Sequence, residues 1–119
     1  MRLAAQAKLG FYPAPPEAVA EAMKYLRQPA FGEACALDPC AGKGEALAQL
    51  SRGLGLKPYG IELDEKRAEL CQRILTTDDL KGEVLAPASF FGCTATFQSL
   101  SFVWLNPPFD DEVGGGMRT

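Results

Sequence analysis

The sequence predicts an α/β protein: an open, mainly parallel sheet with helices on both faces. Three observations predict it. Short apolar runs alternate with amphipathic stretches of about ten residues, each run stops at a proline or a charged residue, and glycines fall where strand gives way to helix. Strands joined by helices of that length pair in parallel through right-handed crossovers, which lays the helices on the sheet.

The elements follow in order. Pro13-Ala14-Pro15-Pro16 is a turn leading into a helix in which Val19, Ala22, Met23 and Leu26 recur at helical spacing. Residues 34–38 form a short apolar strand stopped by Pro39, and Gly42-Lys43-Gly44 opens a second helix at Glu45 that ends near Gly53 or Gly55. Residues 58–62 form the second strand, after which Asp64 caps a helix carrying Ala68, Leu70, Cys71, Ile74 and Leu75. Residues 83–86 make a third strand and residues 100–105 a fourth, the most apolar, broken by Asn106-Pro107-Pro108. Gly114 to Gly116 read as loop. Doubly wound sheets usually carry more strands than this, so the chain reads as part of a domain.

Composition narrows the classes. With 119 residues, 47% of them hydrophobic and 23% charged, the chain suits one soluble globular unit able to bury its own core. Its 12 basic residues against 15 acidic leave a net charge of −3, the wrong sign for a self-sufficient nucleic-acid binder. Cys35, Cys40, Cys71 and Cys93 contain no C-x-x-C pair, and without histidine they complete no common zinc set, so no metal is expected. Neither a signal peptide nor a membrane-length apolar run is present, and free thiols fit a reducing interior; the expected location is cytoplasmic, with no membrane partner.

Ligands of open parallel sheets sit beyond the carboxyl ends of the strands, and three motifs fall there. The first is Asp38-Pro39-Cys40-Ala41-Gly42-Lys43-Gly44. Its glycines let backbone approach a ligand, and Asp38 sets a carboxylate at the lip of the first strand. A plain glycine turn would look similar, so this motif decides nothing alone. A phosphate loop is excluded, because Lys43 lies between the glycines and Glu45 follows them; the dinucleotide fingerprint fails at Leu47, where a small residue is required. A ligand without phosphate fits better.

The second motif is Glu62, which ends the second strand 20 residues after Gly42. A carboxylate at that point can accept bonds from both hydroxyls of a ribose, which suggests an adenosine ligand; the plainer alternative is a solvated glutamate opening the next helix. The third is Val103-Trp104-Leu105-Asn106-Pro107-Pro108-Phe109. The prolines fix a rigid loop with free carbonyls, so Asn106 and the Pro107 carbonyl can together hold an amino group, and the Phe109 ring can stack on a base taken out of its duplex.

At these residues the chain resembles the class I S-adenosylmethionine-dependent methyltransferases, in the branch that methylates the amino group of adenine in DNA. The resemblance runs from Phe11 to Phe109 and implies a Rossmann-like fold with S-adenosyl-L-methionine as cofactor. It implies that Phe11, Tyr12 and Pro13 close over the methionine end, that Asp38, Pro39, Cys40, Ala41, Gly42 and Gly44 form the cofactor loop, and that Glu62 with Leu63 meets the ribose side. Asn106, Pro107, Pro108 and Phe109 correspond to the catalytic motif, which related enzymes also use on RNA adenine or protein glutamine. Two positions depart from the family: Ala14 stands where a threonine is usual, and residues 85–90 lack the acid that would meet the cofactor adenine. Family members also continue into further strands and a target-recognition region. Residues 1–119 are therefore expected to be the cofactor-binding and catalytic-motif portion, meeting DNA through a C-terminal remainder or a partner subunit. A non-catalytic adenosine-binding or assembly module is the alternative.

Overall fold

The computed structural model describes residues 13–30, 32–95 and 100–106. Pro15 and Pro16 set the entry to the first helix, α1 (Pro16–Met23), since a proline at the first helical position gives up no hydrogen bond. Val19 is fully buried beneath it, and Met23 packs against the same core. The helix stops short of Leu26. Tyr25 and Leu26 donate instead to the carbonyls three residues back, on Ala22 and Met23, a tighter winding that still leaves Leu26 against the core.

Strand and helix then alternate as β1 (Cys35–Asp38), α2 (Glu45–Leu54), β2 (Lys57–Ile61), α3 (Glu65–Leu75), β3 (Glu83–Leu85) and β4 (Phe102–Val103). The four strands form one all-parallel sheet in the order β3-β2-β1-β4, as the sequence predicts for an α/β fold. The chain steps outward from β1 to β3 and returns to the other side of β1. Strand order therefore reverses between β1 and β4, which is where such sheets open a crevice. Strand β4 is shorter than its apolar run: among the described residues its ladder takes in Phe102 and Val103, opposite Ala36 and Leu37 of β1. Flanking bonds from Ser101 N to Cys35 O (3.1 Å) and from Trp104 N to Leu37 O (2.9 Å) extend the contact.

Helices α2 and α3 line one face of the sheet, α2 against β1 and β2 and α3 against β2 and β3, and α1 packs on the side of α2. Leu47, Leu50, Cys71 and Leu75 are fully buried in this layer, each apolar side chain stabilising by roughly 1.5–3 kcal/mol. Gly60 in β2 has no room for a side chain, since a Cβ there would lie 3.0 Å from Leu75 Cδ1 and 3.1 Å from Ala41 Cβ. The opposite face carries Leu37, Tyr59, Leu85 and Val103, of which Leu85 is 55% and Val103 44% exposed. The expected helices on both faces are thus met on one face among the described residues. The described part of the β3–β4 connection holds only a single 3₁₀ turn, Phe90–Gly92, where a second helical layer would need a full crossover helix. Among the described residues no helix is long and apolar enough to cross a membrane.

Both ends of α2 use glycine at positive φ, 86° at Gly44 and 69° at Gly55. The two differ in surroundings. A Cβ on Gly44 would meet Cys71 Sγ at 3.1 Å and Cys71 Cα at 3.3 Å, whereas one on Gly55 would meet nothing within 4 Å. Gly55→Ala should therefore cost only the left-handed strain of about 1 kcal/mol. Gly44→Ala should cost at least ~2 kcal/mol, because α3 must also shift. Urea unfolding of the two variants checks this; equal losses would contradict the close approach.

Candidate functional site

Beyond the carboxyl ends of β1, β2 and β4 lies a cleft of about 1060 Å³, walled by the loop after β1, the start of α3, the 3₁₀ turn and the chain leaving β4. Its floor is built by hydrogen bonds that the glycine loop makes to the end of β2. Ala41 N donates to Ile61 O (2.8 Å), and Gly42 N donates to Glu62 Oε1 (2.7 Å). Gly42 sits at φ 60°, a left-handed conformation that a residue without a Cβ adopts at no steric cost.

Glu62 is only 6% exposed and is held from both sides. Its Oε2 accepts from Asp64 N (2.9 Å) and from Arg67 Nε (3.3 Å), while Asp64 in turn caps α3 by accepting from Arg67 N (3.0 Å). A carboxylate offers about four acceptor positions, so Oε1 keeps one beyond the Gly42 bond. Asp38, 3% exposed at the end of β1, accepts from Cys40 N (3.0 Å) through Oδ1. Burial pushes its carboxyl up to about 6; the Cys40 N–H opposes the rise and the Glu62 charge adds to it. The same burial, with the Asp38 and Glu62 charges, raises the Cys40 thiol and carries Cys71 to about 12, so neither is a thiolate nucleophile at neutral pH.

Pro13, Asp38, Pro39, Cys40, Ala41, Gly42, Glu62, Leu63 and Asn106, all singled out in the sequence, lie on the wall of this one cleft, as does Ala14. Gly44 is placed elsewhere: it sits against Cys71 of α3 and serves the helix packing. Phe11, Tyr12, Pro107, Pro108 and Phe109 lie outside the described residues. The wall also includes residues that sequence reasoning passed over. Arg67, five positions after Glu62 and one turn into α3, was legible only as a surface charge. Phe90 and Phe91, their rings 5.9 Å apart, line the mouth in the segment where an acid was sought, and Phe91 is 95% exposed. Among the described residues no three metal-binding side chains come together.

A parallel sheet with a ligand-sized cleft at its switch point is the architecture of a nucleotide- or cofactor-using enzyme. The chain belongs to the uncharacterised methyltransferase family DUF6094, whose family profile matches residues 1–118. Methyl transfer is accordingly the class of chemistry to which this fold and cleft belong. No curated protein matches the chain.

Proposed function

We propose that the cleft binds S-adenosyl-L-methionine and that the chain directs its methyl group to an exocyclic amine, that of adenine in DNA. The observation that carries the reading is the convergence of Asp38, Glu62 and Asn106, from the ends of three different strands, on one cleft. The residues fit such a cofactor. Glu62 Oε1 retains an acceptor for a ribose hydroxyl, Gly42 presents no Cβ, and the first turn of α2, through Glu45 and Ala46, opens its helix N-terminus to the cleft. The wall carries Asp38, Glu45, Glu62, Asp64 and Glu65 against Lys43 and Arg67, which favours a cationic ligand over a pyrophosphate.

When bound, the cofactor supplies a methyl group on a sulfonium, a reactive electrophile that needs no covalent enzyme intermediate. The chain's part is positioning. The Asn106 amide oxygen accepts an N–H of the acceptor amine and aims its lone pair, with the Pro107 carbonyl as the second acceptor. Phe109 stacks on the extruded base. DNA itself would be held by basic surfaces other than this acidic wall.

Isothermal calorimetry tests the cofactor assignment. S-adenosylmethionine and S-adenosylhomocysteine should bind at least about tenfold more tightly than NAD, the equivalent of ~1.4 kcal/mol. A dinucleotide that binds more tightly than either would overturn it.

A further inference from the structure

We propose that Asp38 admits a positively charged ligand in exchange for a proton, so that the cleft takes up the cation of its cofactor and releases H⁺ to solvent. This deepens the proposed function and rests on it. In balance, the Asp38 carboxylic acid and the ligand cation give a carboxylate–cation pair and one proton.

The geometry carries the inference. Asp38 is almost wholly buried, yet among the described residues its Oδ2 accepts no hydrogen bond and is not sealed from the cleft. No cation is bonded to it among the described residues. Arg67, on the same wall, is held by Glu62 instead. The remaining charged neighbours make matters worse for an ionised Asp38: Glu62 faces it from the end of β2, and Glu45 from the first turn of α2 lines the same cleft, as do Asp64 and Glu65 at the start of α3. Lys43, on the loop after β1, is the other basic group on the wall among the described residues. Cys40 and Cys71 titrate too high to supply charge. From the end of β4, among the described residues, the chain contributes uncharged Trp104, Leu105 and Asn106. A buried carboxyl so placed holds its proton well above the usual carboxylate range, up to about pH 6. A cation brought to Oδ2 offsets the burial that causes the rise by pairing with the ionised form, and the proton leaves.

The sign of the pH effect follows. Below the free-state value the proton must be displaced before the cation binds, so affinity falls as pH falls. The apparent Kd should be about tenfold weaker at pH 5 than at pH 7, a range in which the ligand's own α-ammonium stays protonated. Calorimetry at pH 6 in two buffers of different ionisation enthalpy should show about half a proton released per ligand bound. Asp38→Asn keeps an oxygen for Cys40 N and should flatten the pH profile and abolish the release. The unaltered chain in two buffers decides the matter even if that variant does not fold. Release with both S-adenosylmethionine and S-adenosylhomocysteine identifies the ammonium as the cation; release with the sulfonium ligand alone identifies the sulfur. A constant Kd from pH 5 to 7 without proton release overturns the inference and leaves the cofactor reading standing. Failure of both ligands to bind at any pH overturns that reading, and the inference with it.

Discussion

Asn106→Ala is expected to slow methyl transfer by about 100-fold or more while leaving the cofactor Kd within about twofold. The residue lies three positions beyond β4 on the cleft wall, and the Trp104 N to Leu37 O bond (2.9 Å) ties the chain just before it to the sheet. A side chain anchored so near a rigid strand end holds its amide in place without reorganisation during the reaction. In the proposed reaction its oxygen accepts an N–H whose acidity grows as the amine nitrogen takes on the methyl group and positive charge. The bond is therefore stronger in the transition state than in the ground state, and such bonds appear in rate more than in affinity. Removing one preorganised partner of this kind costs roughly 3 kcal/mol in other enzymes. Asn106→Asp, which keeps an acceptor, should retain part of the rate. Single-turnover transfer from tritiated cofactor to an adenine-containing duplex separates rate from binding; an unchanged rate in Asn106→Ala would remove the catalytic role.

Glu62→Ala is expected to lower both cofactor affinity and fold stability. The ribose contact should be worth roughly 1–3 kcal/mol, or about 5- to 150-fold in Kd. The structure adds a second loss, because the same carboxylate accepts from Gly42 N and Asp64 N and pairs with Arg67 in a largely buried setting. Orphaning those donors should cost on the order of 3 kcal/mol. Glu62→Gln preserves shape but puts an NH₂ opposite one of the two backbone N–H groups, so it should lie between wild type and alanine. Thermal melts with parallel calorimetry distinguish the effects: unchanged melting would mean the clasp is idle, and unchanged affinity in a folded variant would place the ribose elsewhere.

These two residues also mark what was legible in the sequence. Asp38, Glu62 and Asn106 each end an apolar run, and ends of parallel strands are where ligands go, so their convergence could be read from spacing alone. Asp64 as cap of α3 was equally plain, and a glycine end to α2 was legible as Gly53 or Gly55, of which the fold uses Gly55, because capping is a local property of one or two residues. Tertiary approach was not legible. Gly44 read as a ligand-facing glycine, yet its smallness answers to Cys71 of α3, 27 positions along the chain. Glu62 read as a residue waiting for a ribose, with nothing local to reveal that Gly42 and Arg67 already hold it. The length of β4 depended on its ladder with β1, and the end of α1 on a change from four-residue to three-residue bonding that apolar spacing does not distinguish.

A crystal structure of the chain with S-adenosylhomocysteine tests the central claim most directly. The ligand is expected in the cleft beyond β1, β2 and β4, with a ribose hydroxyl within hydrogen-bond distance of Glu62, the amino-acid end toward Asp38 and the sulfur facing Asn106. A ligand bound outside that cleft, or inside it with the ribose away from Glu62, would contradict that claim.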